Sequence, residues 1–114
     1  DAVQPDMFVA FCTGFIEEAE YGTKRYFKEH PQLSFSLIDA LIEKGVSIIA
    51  VDCSGVRRGS EHTPTDQKCA EAGVFVVENL VNLGAIAGKK FTAHTYPVNY
   101  SEMSGPPCRV VAEV

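Results

Sequence analysis

Asp66 and Glu78 stand twelve residues apart in the sequence, and His62 lies four residues before Asp66. Carboxylate oxygens and an imidazole nitrogen suit a divalent cation such as zinc or manganese. A cation held between Asp66, Glu78 and His62 is therefore one chemistry this spacing allows. Glu78 directly follows the apolar run Val74-Phe75-Val76-Val77, and Asp52 directly follows another, residues 46–51. In open α/β sheets, ligand sites gather at the C-terminal ends of strands, where both acids would sit.

The same residues have a structural reading. Thr63-x-x-Asp66 resembles a capping box with aspartate in the place of glutamate, so Asp66 could satisfy backbone N–H groups. Glu78 could serve only the N-terminus of a following helix. Caps are commoner than ligands, so the spacing alone favours the capping reading. His30 and His94 have no partner at ligand spacing, and a structural role is favoured for each. Arg109 either pairs with a carboxylate or faces solvent. The chain contains no G-x-G-x-x-G, no Walker loop and no G-x-S-x-G elbow. Asp52-Cys53-Ser54-Gly55 follows a strand but lacks the further glycines that let a backbone approach a pyrophosphate.

These residues must be positioned by the elements around them. Residues 7–11 read as a buried strand. Residues 15–30 read as irregular with a short helix near Glu17, and Tyr21, Tyr26 and Phe27 are expected to pack rather than bind. A helix opens at Ser34 or Ser36, carries Leu37, Ile38, Leu41 and Ile42 at helical spacing, and stops at Gly45. A strand follows over 46–51, then a loop over 53–61. Thr63-Pro64 suits the start of a second helix, which ends at Gly73. After the strand at 74–77, Asn79 could cap a third helix through Leu80, Leu83 and Ile86, stopped by Gly88. Two strands, 91–96 and 108–113, flank a turn at 104–107. Alternating strands and helices imply an α/β fold with a parallel-type sheet, and the two final strands suggest that the sheet is mixed.

Composition narrows the function. A chain of 114 residues suits a single domain, 1–114, with one modest core. The net charge of −5 gives no favourable steering toward nucleic acid or an anionic membrane, so neither is expected as a partner. No apolar stretch approaches the length of a membrane span, and the N-terminus does not read as a signal peptide. The start at Asp1, without methionine, reads as trimmed or excerpted. Cys12, Cys53, Cys69 and Cys108 form no CxxC pair. Cys12 and Cys108 lie in apolar runs and read as small buried hydrophobes, which suits a reducing, cytoplasmic setting.

The chain also resembles a known family. VFVVENLVNL, preceded by HTPTDQ and followed by FTAHTYPVNY and SGPPCRVVAEV, resembles the C-terminal part of the cyclase family of metal-dependent hydrolases, which includes bacterial kynurenine formamidase. PDMFVAFCTGF, HPQLS and VSIIAVDCSGV fit the same family in the same order. The resemblance implies the C-terminal portion of a β/β/α swivelling-type domain, usually dimeric. It also implies a zinc or manganese ion that activates water against an amide or cyclic bond of a small-molecule substrate. In that family a histidine and, twelve residues later, a glutamate serve the metal. Glu78 matches the glutamate, but Asp66 stands where the histidine would be. The resemblance thus implies metal ligands Glu78 and Asp66, with His62 able to reach in from one helical turn away. The family's His-x-Gly-Thr-His-x-Asp-x-Pro motif, which belongs to the N-terminal half, has no counterpart here. Three readings follow. The chain is part of such a hydrolase, inactive alone and with too few ligands to keep a metal; or a truncated, non-catalytic binding or oligomerisation module; or one of two chains that together form the enzyme. Association with itself or with an N-terminal half is expected.

Overall fold

The computed structural model describes residues 2–114 and has two compact units, the first ending at Gly84 and the second comprising Ala85–Val114. In the first unit the strands are β1 (Phe8–Phe11), β2 (Ile48–Val51) and β3 (Phe75–Val77). They form one parallel sheet in the order β1-β2-β3. Parallel neighbours need a crossover, and helices provide it on both occasions. Between β1 and β2 come α1 (Phe15–Glu18), α2 (Lys24–Lys28) and α3 (Phe35–Lys44); between β2 and β3 comes α4 (His62–Glu71). An Asp39–Lys68 ion pair joins α3 to α4. The α/β architecture is the one the alternating pattern predicts.

Local chemistry explains the elements. Ser34 caps α3 by accepting from the Leu37 N–H, and Gly45 ends it in the left-handed conformation at φ 76°. The apolar stripe of α3 buries Ile38 and Leu41 beside Ile49, Val51 and Val74. Full burial of Ile49, Ala50 and Val51 makes β2 the centre of the core. Burying each large aliphatic side chain is worth about 1.5–3 kcal/mol, so β2 and α3 carry much of the unit's stability.

Several expectations are corrected. Residues 15–30 hold two short helices rather than one, the second capped by the Thr23 hydroxyl, which accepts from the Tyr26 N–H. Tyr26 is fully buried against Phe15, while Tyr21 and Phe27 pack on it edge-on and remain exposed outside. The third helix at 79–88 does not form. Asn79 and Asn82 both adopt φ 63°, which stops helical propagation, and only a short 3₁₀ turn at Leu83–Ala85 remains. Parallel and antiparallel strands do not share one sheet: β4 (Thr92–Pro97) and β5 (Cys108–Glu113) make a separate antiparallel pair in the second unit. The buried cysteines are Cys53 and Cys69; Cys12 is exposed and Cys108 half-buried. Cys12 follows the last residue of β1, at an edge of the sheet, so its apolar neighbours do not cover it. Among the described residues no helix is long and apolar enough to cross a membrane.

Candidate metal centre

His62, Asp66 and Glu78 come together. Each offers one ligand atom, and those atoms lie within 4.8 Å of one another. His62 and Asp66 share one face of α4, one turn apart, with His62 Nε2 3.1 Å from Asp66 Oδ2. Glu78 arrives from the end of β3 and places Oε2 3.8 Å from the same Nε2. Ligands about 2.0–2.1 Å from a tetrahedral zinc ion are themselves about 3.3 Å apart. The two observed spacings bracket that value.

The capping reading of Asp66 is overturned. A 3₁₀ turn at Gly59–Glu61 leads straight into α4, so the helix starts at His62, with Glu61 in the cap position and no side-chain cap. Thr63 and Asp66 are therefore inside the helix. Asp66 faces His62, and its other oxygen, Oδ1, is buried without a hydrogen-bond partner. Glu78 has no helix after it to serve.

The electrostatics are those of a cluster that wants a counter-charge. Burial raises the Asp66 pKa above its ordinary 3.8, against the opposing pull of the His62 ring. Burial likewise raises Glu78 above 4.5; His62 lowers it and the neighbouring Asp66 raises it further. Two carboxylates beside one imidazole, with an orphaned buried oxygen, form a donor set that a divalent cation would complete. The residues fit the group.

Three features hold the triad. First, Gly55 lies under it at φ 123°, and a Cβ there would stand 2.7 Å from His62 Cε1 and 3.3 Å from Glu78 Oε2. Only glycine leaves that space open. Second, the loop before α4 is pinned. The Arg57 guanidinium lies over the Phe35 ring at 4.1 Å, donates to the Leu33 carbonyl at 2.9 Å and pairs with Glu61 at 2.8 Å. The Arg58 N–H donates to Gln32 Oε1 at 2.8 Å. Third, the chain leaving β3 stays bonded to β2: the Asn79 N–H donates to the Cys53 carbonyl at 2.9 Å and the Leu80 N–H to the Val51 carbonyl at 3.1 Å.

The remaining candidates do other work. Asp52 is buried at the end of β2, where it accepts from the Thr13 N–H at 2.9 Å, the Thr13 hydroxyl and the Gly14 N–H at 2.7 Å. It fastens β2 to the turn after β1. His30 is buried, with Nδ1 2.7 Å from the Pro31 carbonyl. His94 pairs with Glu113 at 3.2 Å within the second unit, and Arg109 is exposed. The role of Gly55 went unrecognised in the sequence, because nothing local says which side chains will lie over it.

Comparison with family models gives no match, nor does comparison with curated protein sequences. Among solved structures, one described as "potential metal-dependent hydrolase with cyclase activity" superposes with a TM-score of 0.72 at 22% identity. The match covers 97% of this chain and 52% of that one, so this chain spans about half its length. At that identity the likeness shows a shared fold, within which His62, Asp66 and Glu78 form the candidate metal centre.

Proposed function

We propose that this chain supplies part of the metal site of a metal-dependent hydrolase of the cyclase or arylformamidase-like type, acting on an amide or cyclic bond. The observation that carries the reading is the convergence of His62, Asp66 and Glu78 at the C-terminal end of a parallel sheet. The fold shared with the potential metal-dependent hydrolase supports it. Zinc or manganese, when bound, would polarise a carbonyl and lower the pKa of water. His62, Asp66 and Glu78 would hold the ion, Gly55 would leave room for it, and the pinned loop would fix the direction of His62. Three protein ligands are the usual complement of a catalytic zinc site. General-base and substrate-binding groups would then come from another segment or chain. The chain alone is therefore proposed to be inactive.

The partner reading follows from the sheet. β1 and β3 are its two edges, and Phe75 on β3 is 69% exposed. Open edges with apolar side chains invite pairing, so we propose association with a second copy or with a chain that supplies the remaining groups. Hydrolysis of formanilide and of a simple lactone tests the function, with zinc or manganese present. We expect background rates for the chain alone and turnover when a chain bearing a His-x-Gly-Thr-His-x-Asp segment is co-expressed. That turnover should vanish in Glu78→Gln. Turnover insensitive to Glu78→Gln would contradict the reading. Absence of turnover in every combination would leave the second reading, a non-catalytic binding or oligomerisation module, which the exposed Phe75 edge favours.

A further inference from the structure

We propose that Tyr26 and Asn79 form a positioning pair for Glu78, locking the carboxylate onto the face where His62 and Asp66 wait. The inference rests on the metal reading above for its consequence, though not for its geometry. Glu78 lies one residue beyond β3, where strand pairing no longer dictates side-chain direction. The residue after it, Asn79, adopts the left-handed conformation at φ 63°, which few residues other than glycine tolerate. Such a conformation persists only where its surroundings over-determine it. Here they do. The Asn79 and Leu80 N–H groups are both bonded to the exit of β2. The Asn79 side chain in turn accepts from the Tyr26 hydroxyl at 2.7 Å, across 53 residues of sequence.

Tyr26 is suited to this task. Its ring is fully buried, stacked with Phe15 at 6.1 Å and met edge-on by Tyr21 at 5.3 Å and Phe27 at 5.5 Å. A phenol so buried must find an acceptor, and Asn79 Oδ1 provides it. Burial, assisted by the nearby Cys53, Tyr21, Asp52 and Glu78, raises the hydroxyl's pKa well above its ordinary value, so it remains a donor. The hydrogen bond from α2 thus ends on Asn79, the residue beside Glu78. Groups that hydrogen-bond metal ligands directly typically change metal affinity by about 10–100-fold when removed, and a pair acting one residue away should fall at the low end of that range.

Two variants test the pair. Tyr26→Phe removes the donor and keeps the ring. Asn79→Gly keeps the positive φ and removes the acceptor. Zinc binding is measured by calorimetry for the parent, each variant and the double variant, with circular dichroism confirming the fold. His62 ring signals are read by NMR at fixed pH without metal. We expect zinc affinity to fall about tenfold in either single variant and little further in the double, because one contact is lost in each. The His62 ring signals should also move, although neither substitution touches that ring. Affinities equal to the parent's, with unmoved ring signals, would overturn the pair. If the parent binds no zinc, the metal reading fails, and the ring signals alone decide: movement supports the positioning of Glu78, and stillness overturns it.

Discussion

β2 and β3 are neighbours in one sheet, and each runs out onto a carboxylate, but the two acids meet different surroundings. Asp52, after β2, is met by two N–H groups and a hydroxyl from Thr13 and Gly14, and its charge is answered by the protein itself. Glu78, after β3, meets an imidazole at 3.8 Å and a second carboxylate, and its charge is not fully answered. The difference lies in what each strand end faces. β2 ends beside the turn that leaves β1, which presents backbone donors. β3 ends beside the first turn of α4, which presents side chains. Position at a strand end therefore does not make a carboxylate a ligand; an unsatisfied neighbourhood does.

Substitution should separate the two acids most strongly in stability. Asp52→Ala removes the buried charged acceptor of three hydrogen bonds from Thr13 and Gly14 and is expected to cost about 1.5–3 kcal/mol. Glu78→Ala should cost far less, since it removes one of two crowded carboxylates. Urea denaturation of both variants checks this, and equal losses would erase the distinction. Gly55→Ala comes next. A methyl 2.7 Å from His62 Cε1, on a backbone at φ 123°, should cost about 1–3 kcal/mol and push the ring off Glu78. Loss of stability with the His62 ring signals in place would show that strain, not crowding of the triad, is responsible.

The α3–β2 unit was legible because its signals are local and redundant. Ser34, Gly45 and the stripe of Ile38 and Leu41 all point to the same helix. The three members of the triad were legible as residue types at a spacing. Their joint role was not, because Asp66 fits a capping box equally well. The start of α4 at His62 decided against the cap, and it depends on the 3₁₀ turn at Gly59–Glu61. The third helix failed for a related reason. Leu80, Leu83 and Ile86 keep helical spacing, but Asn79 and Asn82 sit at φ 63°, where a right-handed helix cannot continue. Backbone conformation overrode the pattern there, and the bond from Tyr26 to Asn79 had no sequence signal at all.

Acid should act on His30 and on the Asp66–Glu78 pair with opposite signs. His30 is buried and its pKa is lowered below 6.5, chiefly by desolvation, with the Pro31 carbonyl raising it part of the way back. Its neutral form contributes stability that is present above pH 6.5 and is lost as pH falls through the lowered value. Asp66 and Glu78 are raised, chiefly by burial, so the metal-free fold binds their protons more tightly than the unfolded chain does. Their contribution is present below their ordinary values of 3.8 and 4.5 and is lost as pH rises through the raised ones. Asp66→Asn should therefore flatten the metal-free stability profile on its acidic side, and thermal unfolding between pH 4 and 7 checks it. A profile unchanged by Asp66→Asn would remove Asp66 from the cluster.

A last contrast concerns thiols at the two sheet positions. Cys12, exposed after β1, should react quickly with a thiol reagent at pH 8. Cys53, buried after Asp52, has its pKa pushed up to about 12, mainly by burial and then by Asp52 and Glu78. It should react orders of magnitude more slowly, as the thiolate is the nucleophile. Mass spectrometry of labelled peptides over time checks the order, and equal rates would mean that the end of β2 is open.

The central claim is that His62, Asp66 and Glu78 hold one divalent cation among them. Calorimetric titration of the chain with zinc, and separately with manganese, tests it most directly, alongside Asp66→Asn and Glu78→Gln. The account predicts one ion per chain, weakened sharply in both variants and weakened in the parent as protons compete at lower pH. Absence of binding by the parent, or binding that both variants retain unchanged, would contradict it.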